Sequence, residues 1–417
     1  MTAYADPPRQ AFRPSMLLYD SRYRSLTIQV IALIGFLLLV GWLVNNTAQN
    51  LAELGKPIDF GFLSDPAGYD INQRLIEYDS QSSHWRAAVV GLLNTLVIAV
   101  LGCIAATIIG VIVGIARLSK NWIVAQLMTV YVEIFRNVPV LLWIVFIMAI
   151  LIETLPSPRD FRGDEPAAAM ALGDSVAVTN RGIYIPEVLF TGDLGDVSVG
   201  FFDFSINWLI LLSVLAAGIW ASGRVKRRAD AIQEATGDRP TTWYLRLGLI
   251  FAPFLILLWV FGAHLGYPEL SGFNFSGGIH LRNSLLALWL ALSLYTAAFI
   301  AEIVRSGILA ISKGQTEAAA SLGLRPRRIM NLVILPQALR VIIPPLISQY
   351  LNLTKNSSLA IAVGYMDVTG TLMGITLNQT GRELETVLMG MAVYLTISLL
   401  ISAVMNWYNN SVKLKER

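Results

Sequence analysis

The chain has 417 residues, 55% of them hydrophobic and only 14% charged. Soluble domains carry about 25% charged residues, so this composition excludes an average soluble domain and points to a membrane protein. A net charge of +3, with no basic stripe interleaved with aromatics, argues against nucleic-acid binding, and the single cysteine, Cys103, leaves neither an intrachain disulfide nor a cysteine-held metal.

Crossing the hydrocarbon core takes about 20 mostly apolar residues in a helix rising about 1.5 Å per residue. In chain order, residues 1–25 hold Arg9, Arg13, Arg22 and Arg24 and read as a cytoplasmic segment. Residues 26–44 form an extra N-terminal membrane helix, uncleaved because Asn45-Asn-Thr-Ala48 offers no small-x-small site. The acidic stretch 45–86 reads as a periplasmic loop. Residues 87–152 open the core with spans at 87–116 and 122–151, separated by an inside turn carrying Arg117 and Lys120. An insertion at 153–280 begins acid-rich (Asp160, Asp164, Glu165, Asp174, Glu187, Asp193, Asp196, Asp203) and is expected outside. It then supplies two more spans, 208–221 and 247–261, joined on the inside by Arg224, Lys226, Arg227 and Arg228. Residues 281–408 complete the core with spans at 284–309, 331–351 and 385–407, and 409–417 form a basic tail with Lys413, Lys415 and Arg417. The alternating loop charge fits an all-α membrane bundle of eight spans with both termini cytoplasmic.

His84, His264 and His280 lack ligand spacing. No phosphate-loop, G-x-S-x-G or H-E-x-x-H pattern occurs, so neither ATP hydrolysis nor metalloprotease chemistry is expected of this chain. Charge inside an apolar run is costly and marks a working group. Two such runs carry Glu133 with Arg136 and Glu302 with Arg305, each at i,i+3, where a Glu can meet its own Arg or exchange partners between helices. They read either as static ties or as a gate. Pro139 is expected to break the span 122–151, setting its first half at the cytoplasmic interface. Asn137 and Pro139, with Lys355, Asn356, Ser357 and Ser358, are candidates for lining a pathway, a helix cap being the alternative for the last four. Gly110-x-x-x-Gly114 offers a close-packing face.

The loop 312–330 carries Gln315-Thr-Glu-Ala-Ala-Ala-Ser-Leu-Gly-Leu-Arg-Pro326, followed by Val333-Ile-Leu-Pro336. Gly314 and Gly323 bracket about two turns of helix, with Thr316 expected at the N-cap and Glu317 in the first turn. Three alanines keep the helix thin enough to lodge in a cleft, and Pro326 opposes simple continuation into the next span. Taken alone, this is an amphipathic connector. The full spacing of Glu317, Ala318, Ala319, Gly323, Val333, Leu335 and Pro336 resembles the coupling loop of ABC importer permeases, which implies ATPase coupling through Glu317, Ala318, Ala319, Gly323, Arg325, Leu335 and Pro336. Tyr131-Val-Glu-Ile-Phe-Arg-Asn-Val-Pro-Val-Leu-Leu142, Phe299–Ile308 and Leu353–Leu359 resemble signatures of the polar amino acid branch of that family. Asn137-Val138 stands where Gly-Thr is commoner, and Lys355-Asn-Ser-Ser358 where Lys-Asp-Thr-Ser is commoner. The extra first span and the insertion resemble the long permeases of general L-amino-acid and glutamate/glutamine/aspartate systems.

The resemblance implies import of polar L-amino acids across a bacterial inner membrane by alternating access. It also implies docking to an ABC ATPase homodimer that holds ATP and Mg, a second and different permease subunit, a periplasmic amino-acid-binding protein and surrounding lipid, with no cofactor in this chain. The acidic segment 153–207 is either a contact for the binding protein or a solvated loop. The rival readings are an ion-gradient-driven secondary transporter and a non-transporting scaffold or sensor with the same fold.

Overall fold

A computed structural model describes residues 20–163, 165–200 and 202–412. Arg9, Arg13, Asp164, Lys413, Lys415, Arg417 and the side chain of Arg22 lie outside the described residues. Among the described residues, eight helices are long and apolar enough to cross a membrane. The chain divides after Gly61 into two units.

Among its described residues the first unit holds one helix, α1 (Ser21–Glu53), whose 33 residues reach ~50 Å. None of its apolar window is buried within the chain. Its composition is apolar all round, as a membrane-spanning helix requires.

The second unit opens with a coil whose Ile71 and Tyr78 bury against the first residues of α2 (His84–Ala116). Ser83 caps α2 by accepting from the Arg86 N–H. Asn121 caps α3 (Trp122–Asn137) through the N–H groups of Ile123 and Val124. Val138 and Pro139 adopt extended backbone, and Pro139, lacking an N–H, sits ahead of α4 (Val140–Thr154). The span expected at 122–151 is therefore two helices broken at the proline.

The insertion holds short strands that its composition did not announce: β1 (Ala177–Thr179), β2 (Gly182–Ile185), β3 (Glu187–Phe190), β4 (Asp196–Val199) and β5 (Phe202–Ser205). Strands of three or four residues, one of them (β4) exposed on both faces, give no readable alternation. Two long helices follow, α5 (Ile206–Thr236) and α6 (Trp243–Val260), both extending past the apolar runs that mark them. Four more strands return: β6 (Ala263–Gly266), β7 (Glu269–Ser271), β8 (Asn274–Ser276) and β9 (Ile279–Arg282). All pairing is antiparallel, β1-β2-β9, β3-β6, β4-β5 and β7-β8. The first two sets tie the two sides of the α5–α6 excursion together at one end of the bundle.

From β9 the chain enters α7 (Asn283–Leu309), the central helix, packed on α2, α4 and the later helices. Its contact with α2 is close because of Gly110 and Gly114. A Cβ on Gly110 would lie 2.7 Å from the Ile300 Cβ, and one on Gly114 would lie 2.7 Å from the Ala301 carbonyl oxygen. The close-packing reading of this pair holds. Next come the short helix α8 (Lys313–Ser321), a turn at Pro326–Ile329, a π segment at Met330–Ile334 and α9 (Leu335–Asn356). The span expected from residue 331 thus starts at Pro326, which takes the first helical position, where its missing N–H costs nothing. A 3₁₀ stretch (Ser357–Val363), a π segment (Thr369–Thr376) and α10 (Glu383–Val412) finish the fold.

Candidate functional site

The end of the bundle opposite the strands carries α8 and the charged groups above it. α8 is amphipathic on a small scale. Ala319, 5% exposed, faces Ile329 and Ile334, while Gln315, Glu317, Ala318 and Ser321 are exposed. The alanine lets the helix backbone sit directly on that apolar patch. Its far end closes in a Schellman motif: the Gly323 N–H bonds Ala320 O at 2.9 Å and the Leu324 N–H bonds Ala319 O at 3.3 Å. Gly323 has φ +76°, a conformation that strains any residue with a Cβ. Leu322, 80% exposed, is left as an apolar knob at the tip. Arg325 and Leu335 are exposed, and Pro336 is half-buried at the start of α9.

Two details of α8 correct the sequence expectation. The helix begins at Lys313 with Ser312 at the N-cap, so Thr316 lies inside it and Glu317 falls outside the first turn. The reason is backbone: the Gln315 N–H already bonds Ser312 O at 3.1 Å, so the turn closes ahead of the threonine. Gly314 is carried inside the helix at a cost of about 1 kcal/mol relative to alanine.

One to two turns above α8, Glu302 on α7 accepts from two arginines. Arg305 Nη2 donates to Oε1 at 3.0 Å, and Arg117 Nη1, from the C-cap of α2, donates to Oε2. Arg117 Nε also donates to Thr129 Oγ1 at 3.3 Å, so one guanidinium joins α2, α3 and α7. Arg117 is 8% exposed and Glu302 29%. Removing the carboxylate leaves Arg117 buried without its counter-charge, a loss of about 1–3 kcal/mol and less than for a fully buried pair because Glu302 meets solvent. Ile308 and Ile311 pack on both the main core and the patch under α8, forming an apolar link between the ion triad and that helix.

The echo at Glu133 and Arg136 behaves differently, and the expected pairing of these two is corrected. Glu133 Oε2 accepts from Asn137 Nδ2 at 3.2 Å, and Arg136 lies over the Phe299 ring, 5.4 Å from its centroid. Arg136 sits in the last turn of α3, where the helix dipole favours a cation, and the aromatic face of α7 takes the place of a carboxylate. Asn137 also donates to Glu133 O at 2.8 Å, and with Pro139 it ends α3.

Lys355, Asn356, Ser357 and Ser358 mark the change from α9 to the 3₁₀ stretch, with α9 running to Asn356 rather than residue 351. Ser357 Oγ donates to Thr354 O at 2.8 Å and Ser358 Oγ to Lys355 O at 2.7 Å, which is how serines finish a helix. Lys355 is the exposed member of the four.

Sequence reasoning passed over two groups. Arg117 was visible only as a marker of an inside turn. Asp367, buried, accepts from Tyr394 OH at 2.8 Å and from the Gly370 N–H at 2.9 Å. Next to it, Asn94 on α2 donates to Met366 O at 2.8 Å and to Gln73 O at 2.7 Å. The rule that flagged Glu302, an acid beside an apolar run, applies equally to Asp367. Among the described residues no group of three His, Cys, Asp or Glu is placed to hold a metal ion.

Eight apolar helices among the described residues define a multi-pass membrane protein, and α8 is its small exposed helix between two spans. Residues 240–414 match the family model of binding-protein-dependent transport system inner membrane components. The chain is 58% identical to the glutamate/glutamine/aspartate/asparagine transport system permease protein BztB of Rhodobacter capsulatus, over 100% of both chains. It is 44% identical to the general L-amino acid transport system permease protein AapQ of Rhizobium johnstonii, over 98% of this chain and 96% of that one. The glutamate/aspartate import permease protein GltK of Escherichia coli O6:H1 is 30% identical over 42% of this chain and 79% of its own. The chain belongs to the family of inner-membrane permease components of binding-protein-dependent ABC transport systems. It is a multi-pass inner-membrane protein and a transporter subunit, working with an ATPase and a binding protein.

Proposed function

We propose that this chain imports polar L-amino acids, acidic and amide side chains foremost, by alternating access, with α8 as the joint to a separate ATPase dimer. Full-length identity to permeases whose names specify glutamate, glutamine, aspartate and asparagine, or L-amino acids in general, supports the substrate class. The observation that carries the mechanism is α8 itself: a helix seated on one buried alanine, with Glu317, Ala318 and the Leu322 knob free on its other face. ATP and Mg belong to the partner, since the sequence has no phosphate loop. An ATPase dimer offers two docking surfaces and this chain offers one helix, so a second permease is required, and we take it to be a related but different subunit. Both termini face the cytoplasm in this reading. Displacement of α8 reaches the Arg117–Glu302–Arg305 triad through Ile308 and Ile311, and re-pairing of that triad acts as the inner gate.

Two substitutions test the reading in the assembled transporter. Glu317→Arg, at an exposed position, leaves the fold intact and lowers co-purifying ATPase at least about tenfold, the effect of reversing one contact charge. Glu302→Gln leaves assembly intact but separates ATP hydrolysis from uptake in proteoliposomes. Normal uptake by the Glu302→Gln transporter ends the gating proposal, and normal ATPase retention by the Glu317→Arg transporter ends the docking proposal.

A further inference from the structure

The α5–α6 hairpin packs chiefly on itself, its other main contacts being with the strands β5 and β6 at its base. The crossing is tight: a Cβ on Gly218 would lie 2.5 Å from the Leu249 carbonyl oxygen. To one side of the crossing the two helices leave a groove of about 570 Å³, lined by Val214 of α5 and by Tyr244, Leu245, Gly248, Ala252 and Ile256 of α6. Its lining is apolar except for the Tyr244 hydroxyl. From Tyr244 to Ile256 it spans ~18 Å, close to the ~15 Å hydrocarbon depth of one leaflet.

The Tyr244 end of this groove lies where the hairpin turns basic. α5 runs on past its apolar part through Arg224, Lys226, Arg227 and Arg228, with no acid among residues 224–229. Arg224 stacks on Trp220, 4.2 Å from the ring, which holds its charge at the level of the last apolar turn. Arg246, next to Leu245 in the chain, reaches across to α5 instead, giving its Nε–H to Ser222 Oγ at 3.2 Å, and no carboxylate pairs with it among the described residues. Arg239, by contrast, is taken by Asp230 at 2.6 Å. Since α5 and α7 both start at the strand end, this basic turn shares the end of the bundle that carries α8.

We propose that the foot of the inserted hairpin is a binding site for one anionic phospholipid, its phosphate held by Arg246 and the 224–228 cations and an acyl chain lying along the Gly248 groove. Charge complementarity selects the occupant. A transmembrane helix of a partner or of a second copy would fill the groove but offer nothing to Arg224, Lys226, Arg227, Arg228 and Arg246, none of which has a carboxylate partner among the described residues although Asp230, Glu234 and Asp238 follow in the chain, whereas an anionic headgroup joined to an acyl chain meets both halves of the site. Each basic residue near a membrane surface favours an anionic lipid, and the groove adds a chain-length apolar seat that a basic loop alone lacks.

The test is native mass spectrometry of the complete transporter, stripped of lipid and re-exposed to mixed micelles of phosphatidylglycerol and phosphatidylcholine. The wild-type assembly retains a phosphatidylglycerol in preference to phosphatidylcholine by about tenfold or more. Gly248→Leu removes that bound lipid without altering any charge, and a Cβ there meets nothing within 4 Å, so the hairpin keeps its fold. Replacing Arg224, Lys226, Arg227 and Arg228 by glutamine abolishes the preference between headgroups. Equal retention of the two lipids by the wild-type assembly overturns the proposal. So does undiminished phosphatidylglycerol retention by the Gly248→Leu assembly, which would reduce the attraction to that of any basic loop.

Discussion

Helices α6 and α7 are about equally apolar by mean hydropathy, yet 72% of the α7 window is buried inside the chain and none of the α6 window is. Hydropathy measures whether a helix tolerates lipid, and both do. What separates them is side-chain size. α7 carries Ser284, Ala287, Ala291, Ser293, Thr296, Ala297, Ala298, Ala301 and Gly307 in its buried set, so neighbouring backbones come close. In lipid there is no hydrophobic gain from burying one apolar helix against another, and such close packing has to hold the bundle together. α6, rich in Leu, Ile, Phe and Trp, finds one close neighbour, at Gly218 of α5. The core and the inserted hairpin are thus built by the same rule at different doses.

The sharpest way to break this comparison is Gly114→Leu. The added side chain meets the Ala301 carbonyl and Val304 at under 3 Å, and overpacking of this kind costs about 1–3 kcal/mol or more. The thermal midpoint and folded yield of the purified transporter are expected to fall more than for Gly218→Leu, Glu302→Gln, Glu133→Gln or His280→Gln. Gly218→Leu is the matched change in the hairpin. It should part α5 from α6, so that a cysteine placed at Ser222 becomes reactive toward a thiol reagent, while the core keeps its melting behaviour within about 0.5 kcal/mol. If both changes lower core stability alike, the hairpin is not an independent element.

Within the core, the two Glu-Ile-x-Arg echoes form a second comparison. Glu133→Gln or Arg136→Gln removes no ion pair, so proteoliposome uptake should stay within about twofold of wild type, in contrast with the uncoupling expected for Glu302→Gln. Equal effects at the two echoes would mean that they act as one unit.

The smallest effect concerns the strand module. His280 stacks on Tyr184 with ring centroids 4.1 Å apart, and burial, helped by nearby Arg282 and opposed by the hydrogen bond to Arg181 O, lowers its pKa below the ordinary 6.5. The unfolded module therefore takes up the proton more readily than the folded one. This contribution to stability is complete above the ordinary pKa and is lost as pH falls through the lowered folded value. Amide exchange in β2 and β9 should speed up as pH falls below about 6.5 by more than intrinsic exchange chemistry predicts, and His280→Gln should remove the excess.

Much of the fold was legible because its causes are local. A span needs a run of apolar residues, a break needs a proline, and Pro139 delivers both α3's end and α4's start. The α8 segment was legible for the same reason, since an acid, three alanines and a glycine at fixed spacing dictate a thin helix with a left-handed stop. Its exact start was not, because whether Ser312 or Thr316 caps it depends on how the chain leaves α7.

Local residue patterns were enough to read the eight apolar spans, the broken third one, the basic end and the family. Tertiary structure alone decided which charges meet. Glu302 and Arg136 lie 166 positions apart and Glu302 and Arg117 lie 185 apart, and no local rule says that the nearer arginine turns to Phe299 while the farther one takes the carboxylate. Only the helix crossings set by Gly110 and Gly114 bring Arg117 within reach, since partner choice among charges is a matter of a few ångströms and sequence spacing constrains none of them beyond the next turn.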